Sequence, residues 1–264
     1  MTDISAAMVK QLREATSAGM MDCKRALVET NGDFDAAVKL LREKGMASVA
    51  KRAGRETTEG KVLVSVGAAA ASIVAVGCET EPVSKNDEFL AFADKVLREV
   101  ESDGEDVTAA LDAERVELSA KLGENIQIVG ARRMHTVEGE AFSAYVHPPA
   151  NKIGVLLKVK GGSEQAARLL AMHIAYSRPT YATRDEVPQD LVDSEREILE
   201  KLPEVEGKPE GVREKIVEGM LNKRFYAESV LGEQAWIHDT ALTVSKALAQ
   251  EGLELVDYAW FSVG

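Results

Sequence analysis

Cysteine is nearly absent from the 264 residues: Cys23 and Cys78 stand far apart, without Cys-x-x-Cys spacing. A disulfide framework and a cysteine metal site are therefore not expected, and a reducing cytoplasm is. Aromatic residues are scarce, and long hydrophobic runs are missing. The longest apolar stretch, Val66 to Val76, is broken by Gly67 and Ser72 and is too short to cross a bilayer. Met1-Thr2-Asp3 sets no basic region ahead of an apolar one, so no signal peptide is expected. Positive charge is also short, with 32 Lys and Arg against 44 Asp and Glu, a formal charge of −12. That balance argues against binding nucleic acid through its backbone, which needs clustered Lys and Arg. An acidic cytoplasmic protein more readily meets another protein.

The signatures of an enzyme are missing too. His135, His147, His173 and His238 stand in no Ser-His-Asp order, and neither a nucleophile elbow nor metal-ligand spacing is present. Gly54, Gly60 and Lys61 have some likeness to a phosphate-binding loop. Five residues separate the glycines, however, and Val62 stands where Ser or Thr would bind magnesium. That reading is rejected, and no catalytic residue, metal or cofactor is expected. His173 lies on an apolar helix face and reads as a core histidine. The charges from Glu195 to Lys201 read as a solvated helix face.

What is present is a soluble globular composition, 45% apolar and 29% charged, at a length that fits one or two domains with a substantial core. The first fifty residues carry three apolar stripes at helical spacing: Ile4, Ala7, Met8 and Leu12; Cys23, Ala26, Leu27 and Thr30; Phe34, Ala37, Val38 and Leu41. Gly32 sits where a left-handed C-cap is wanted, and Asp33 can cap the next helix. Between the first two helices, Thr16 to Met21 reads as a turn. Met20 and Met21 cannot both point into one small core, so one reading makes at least one of them a contact residue; the other has both filling the bundle. Lys51 to Lys61, polar and aperiodic, reads as a linker.

An internal repeat follows. Val62 to Val66 and Ile73 to Val76 predict a hairpin, then a helix with Phe89, Phe92, Ala93, Val96 and Val100 on one face. Eighty residues on, Ala141 to Val146 and Ile153 to Val159 predict a second hairpin, and Ser163 caps a helix carrying Ala166, Leu169, Leu170, His173 and Ile174. Ile73 matches Ile153, and Leu90 matches Leu170. Between the repeats lie a helix through Val107, Leu111, Leu118 and Leu122, ending at Gly123, and a strand from Ile126 to Val129. Leu191, Ile198 and Leu202, then Val212, Ile216 and Met220, predict an antiparallel helical hairpin. Thr240 to Gln250 and Leu253 to Val263 predict a helix and a strand returning to the second half. The expected class is α+β: a three-helix bundle (1–50), a linker (51–60), a first core half (61–139), a second (140–184 and 226–264) and the hairpin (185–225).

The stretch Cys78-Glu79-Thr80-Glu81-Pro82-Val83-Ser84-Lys85-Asn86 leaves the strand Ile73 to Val76 and meets a helix at Asp87. Pro82 fixes its own φ near about −65° and is expected to push Glu81 into the extended region, presenting Glu81 and Val83 outward. The plainer reading is a simple strand-to-helix connection, since such loops are short and polar.

Taken together, several segments resemble the elongation factor Ts family, the guanine-nucleotide exchange factors of bacterial elongation factor Tu. The run Leu12 to Leu27, with Asn31-Gly32-Asp33 after it, is similar to that family's first signature. Lys121-Leu122-Gly123-Glu124-Asn125-Ile126 and Ala171-Met172-His173-Ile174-Ala175 also resemble family motifs, and Gly207-Lys208-Pro209 and Val217-Glu218-Gly219 lie where the family places its hairpin. The resemblance covers essentially the whole chain. It implies a ubiquitin-associated-like N-terminal bundle that docks on the G domain of elongation factor Tu through Leu12, Met20 and Met21. It implies that the Thr80-Glu81-Pro82-Val83 loop inserts there and perturbs the magnesium and phosphate region. The second core half would grip another domain of the partner, with His147 near the interface. Family members usually carry Thr-Asp-Phe-Val in the loop. Here Glu81 keeps the charge on a longer arm, and Pro82 supplies no aromatic wedge, whose burial is worth about 1.5–3 kcal/mol. Longer members carry a further helical module beyond the position of Gly264.

The expected function is thus a non-enzymatic factor that binds elongation factor Tu, GDP-bound and nucleotide-free, as a heterodimer or a 2:2 assembly, with no direct nucleic-acid or membrane contact. The alternatives are a protein-binding adaptor without exchange activity and, disfavoured by the missing motifs, a hydrolase of a small acyl or phosphoryl substrate.

Overall fold

Helical stripes and strand runs fold into an α+β protein, seen here in a computed structural model that describes residues 4–16 and 18–264. The chain forms two compact units. The first runs to His135 and adds Val146–Gly154 and Phe261–Gly264; the second comprises Thr136–Tyr145 and Val155–Trp260.

In the first unit, α1 (Ala6–Thr16), α2 (Met20–Glu29) and α3 (Phe34–Arg52) bury Val9, Leu12, Cys23, Ala26, Leu27 and Ala37 against one another. Asn31 and Gly32 take left-handed φ values of 52° and 85°, and the Asp33 carboxylate accepts from Ala36 N at 3.0 Å, ending one helix and starting the next. The helix α2 begins at Met20, so the turn expected through Met21 is shorter.

A three-stranded sheet, order β1-β2-β3, follows from β1 (Glu59–Val66), β2 (Ala70–Cys78) and β3 (Gln127–His135), both pairings antiparallel. Gly60 holds φ +148°, and a Cβ there would lie 2.1 Å from Val76 O, so only glycine allows this close strand contact. Val74, Val76 and Cys78 of β2 pack on Phe89, Phe92, Ala93, Val96 and Val100 of α5 (Asp87–Asp103), with Leu118 of α6 (Asp112–Leu122) and Ile126 completing the cluster. Each fully buried large side chain here contributes about 1.5–3 kcal/mol. Val107 belongs to a separate 3-10 turn, Glu105–Ala109, rather than to α6. The segment between β2 and α5 holds α4 (Glu81–Ser84).

A second three-stranded sheet, most of whose residues belong to the second unit, has the order β4 (Glu140–Val146), β5 (Ile153–Gly161), β8 (Leu253–Ser262). Ser163 caps α7 (Glu164–Ser177), which buries Ala166, Leu170, His173 and Ile174. The next helices, α8 (Gln189–Glu200), α9 (Pro203–Glu206) and α10 (Glu210–Met220), share a cluster of Leu199, Val205, Val217 and Leu221. Leu202, Ile216 and Met220 of the expected stripe pack against this cluster, but on α8 the buried positions lie one residue beyond the expected ones. Val192 and Leu199 face inward, while Leu191, Ile198 and Val212 are exposed. A π-helical segment, Leu221–Tyr226, leads to α11 (Ala227–Ser229), the ribbon β6 (Ala235–Trp236) with β7 (Asp239–Thr243), and α12 (Val244–Glu251).

His173 is fully buried and stacks on Trp236 at 5.1 Å. Its Nδ1 accepts from Ile237 N at 3.3 Å, which leaves Nε2–H to donate to Gln234 Oε1 at 3.0 Å. Burial lowers its pKa, so the ring is neutral. Among the described residues, no helix is long and apolar enough to cross a membrane, and no His/Cys/Asp/Glu group is arranged to hold a metal ion.

A buttressed helical turn as the candidate partner-binding site

Where β2 ends at Cys78, the chain must turn before Asn86 starts α5. Thr80 is the extended residue here (φ −129°, ψ 152°), and Glu81 opens the single helical turn α4 with Pro82 just inside it. This corrects the expected extended Glu81. Proline is compatible with a first helical turn, where its missing N–H has no partner to lose. Ser84 N donates to Thr80 O at 3.1 Å and Ser84 Oγ to Glu81 O at 2.9 Å. Val83 leans on the β2–α5 core, Ser84 is buried, and Glu81 and Pro82 are exposed. At the far end, Asn86 Oδ1 accepts from Glu88 N and Phe89 N at 2.9 and 3.3 Å. The tip is thus a rigid point with two exposed side chains.

The base is held from beneath by the segment after α6. Gly123, left-handed at φ 76°, ends that helix and turns the chain so that Glu124 and Asn125 face the end of β2. Glu124 Oε2 accepts from Glu79 N and Thr80 N, both at 3.0 Å, and Glu124 Oε1 accepts from Thr80 Oγ1. The Glu79 carboxylate in turn accepts from Asn125 N at 2.7 Å and pairs with Arg55 at 3.2 Å. Asn125 is buried, and its Nδ2 donates to Arg55 O at 2.7 Å, tying in the chain just past α3.

Charge follows this geometry. Burial pushes the Glu79 carboxyl up, but the Asn125 N–H and the Arg55 guanidinium outweigh it and hold the group below the usual range. Lys85, 2.6 Å away, lowers the Glu81 pKa through its hydrogen bond and charge, and its own is raised by Glu81. Burial, then the charge of Glu124, push the Cys78 thiol up to about 12. Such a thiol is no nucleophile at neutral pH.

The family model "Elongation factor TS" matches residues 79–264 and begins at Glu79, the first residue of the buttressed segment. Elongation factor Ts of Saccharopolyspora erythraea is 45% identical over 280 residues, covering 100% of this chain and 99% of that protein. Elongation factor Ts of Corynebacterium aurimucosum is 42% identical with 100% of both covered. That of Psychromonas ingrahamii is 40% identical, covering 99% and 91%. This chain belongs to the elongation factor Ts family.

The remaining site residues fall into two kinds. Met20 and Met21 open α2 with 47% and 62% of their surface exposed, available for contact. Leu12 is fully buried in the bundle, so the structure corrects its reading as a contact residue: it supports the surface only by packing. His147 is exposed between β4 and β5, with its backbone N donating to Ile153 O at 2.9 Å. The structure brings Thr80 to Val83 together in one turn; Met20 and Met21 lie on a different element. Glu79, Glu124, Asn125 and Arg55 were missed as site residues. The signal for two of them was the helix-ending Gly123 followed by two polar side chains, within the run that resembles an elongation factor Ts motif.

Proposed function

We propose that this elongation factor Ts family member is a guanine-nucleotide exchange factor that binds elongation factor Tu·GDP and promotes GDP release and GTP entry. The observation carrying this reading is the turn from Thr80 to Val83: its base is fixed from two sides while Pro82 and Glu81, the latter paired with Lys85, are exposed. A rigid projecting point can enter a partner's G domain without the cost of ordering a loop on binding. There Glu81 would disturb the charge around magnesium and the phosphates. Pro82, lacking an aromatic ring, wedges less deeply than a phenylalanine would.

In this reading residues 1–50 form a ubiquitin-associated-like bundle that docks on the G domain through Met20 and Met21. Residues 51–60 act as a linker, and 61–139 form the core half that carries the turn. The second half, residues 140–184 and 226–264, grips another domain of the partner near His147, and 185–225 form an antiparallel hairpin. The factor makes and breaks no covalent bond and works in the cytoplasm. Linkage supplies the physics: a protein that binds nucleotide-free Tu more tightly than nucleotide-bound Tu weakens nucleotide binding by the same factor.

Mixing the protein with Tu loaded with a fluorescent GDP analogue tests this directly. Accelerated release supports exchange. Binding without acceleration makes the protein an adaptor, and no binding removes Tu as the partner.

A further inference from the structure

A four-residue helix cannot hold itself, because one turn fixes several dihedrals for a single hydrogen bond. Its N-cap usually helps by accepting a helix N–H with its side chain. Thr80 sits at that position and makes no such bond, since its hydroxyl is given to Glu124. Three donors, Glu79 N, Thr80 N and Thr80 Oγ1, converge on that one carboxylate, which arrives from 44 residues away in sequence. The next residue, Asn125, donates its backbone N–H to Glu79 and its side-chain amide to Arg55 O. One two-residue segment therefore fixes where β2 stops, how Thr80 is oriented and where the chain leaving α3 runs.

We infer that Glu124 is the positioning residue for the exchange turn: it sets the direction in which Glu81 and Pro82 project, while contributing nothing to the grip on the partner. This deepens the exchange reading and rests on it for its kinetic consequence. Charge-assisted bonds to a partly buried carboxylate are the stronger kind, so their loss should let the turn fray. Glu124→Gln retains the size of the side chain but has one acceptor oxygen in place of two.

The test compares the parent, Glu124→Gln, Thr80→Val and the double variant. Release of labelled GDP from Tu gives the rate at saturating factor and the half-saturating concentration; amide hydrogen exchange follows Glu79, Thr80 and the α5 amides. Glu124→Gln should lower the saturating rate about tenfold and leave the half-saturating concentration within about threefold. Exchange at the Glu79 and Thr80 amides should rise about tenfold, with the α5 amides unchanged. The double variant should be no slower than Glu124→Gln, because Thr80 Oγ1 acts through Glu124. An unchanged saturating rate, or a loss confined to the half-saturating concentration, overturns the inference. Unchanged amide exchange at Thr80 overturns it regardless of the nucleotide result. If the parent itself fails to accelerate release, the exchange reading falls instead, and amide exchange alone decides whether Glu124 orders the turn.

Discussion

Gly45 of α3 faces Ala120 of α6 so closely that a Cβ added to the glycine would lie 3.0 Å from the alanine Cβ. Small residues on both sides let the two helices approach, and the exposed Arg42–Glu117 pair at 3.7 Å adds little. Gly45→Leu should therefore separate α3 from α6, although glycine in a helix interior is itself unfavourable by about 1 kcal/mol. The expected result is a lower thermal midpoint and faster proteolysis in the 53–58 connection, read by calorimetry and limited digestion. Gly45→Leu as resistant as the parent would mean that this contact does not hold the bundle.

Leu12 and the methionine pair should separate packing from contact. Leu12→Ala removes a fully buried side chain and should cost about 2–5 kcal/mol of stability. Met20→Ala with Met21→Ala should leave the denaturation midpoint within experimental scatter while weakening the complex with Tu by tenfold or more, measured by titration. A double variant that binds as tightly as the parent would exclude this face from the interface.

Glu81→Ala should slow GDP release with little change in affinity for Tu, because the residue is exposed and its carboxylate pairs with the neighbouring exposed Lys85. Thermal unfolding should be unchanged for the same reason. Stopped-flow release that matches the parent would make the turn a plain connection. Pro82→Phe tests the missing aromatic directly and should raise the release rate if the partner offers an apolar pocket.

These predictions rest on features of different legibility. The helix caps at Asp33 and Ser163 and the apolar strand Ile73 to Val76 could be read locally, because caps and periodicity depend on neighbours in sequence. The stripe on α8 was displaced by one residue. Leu191 and Ile198 have the spacing of a seam, but Val192 and Leu199 share that spacing, and only packing selects between them. The helical turn at Glu81 was hidden by the extended preference of a residue before proline, which the hydrogen bonds from Ser84 to Thr80 and Glu81 override. For Glu124 the Gly123 turn marks the position but not the role, because its three bonds span 44 or 45 positions of sequence.

His173 gives a pH signature. Its native pKa lies below the ordinary 6.5 through burial, so the folded ring stays neutral while the unfolded chain takes up a proton. Below about pH 6.5 the unfolded state binds more protons, and stability falls as pH drops toward the native value. Glu79, whose pKa is lowered from 4.5, loses its contribution only at more acidic pH. Urea unfolding between pH 7 and 5.5 should show this decline in the parent. His173→Gln should show a flatter profile from a lower starting stability, and an equal slope in both would assign the effect elsewhere.

Both thiols should be silent in the native protein. Cys23 and Cys78 are buried, and the Cys78 pKa of about 12 leaves it protonated. A chromogenic disulfide reagent at pH 8 should report none in buffer and both in guanidinium. Rapid native labelling of either would contradict the packing of α2 or of β2.

The anchors of the α4 turn, Glu124, Asn86 and the buried Ser84, all lie outside positions 81 and 82. Neither tip side chain is needed to fold its own support. The two positions behave like an interchangeable bit in a fixed holder, open to mutational drift or to a saturation library without loss of the scaffold. Under the proposed exchange reading, changing these two residues retunes how the turn meets its partner and leaves the rest of the architecture untouched.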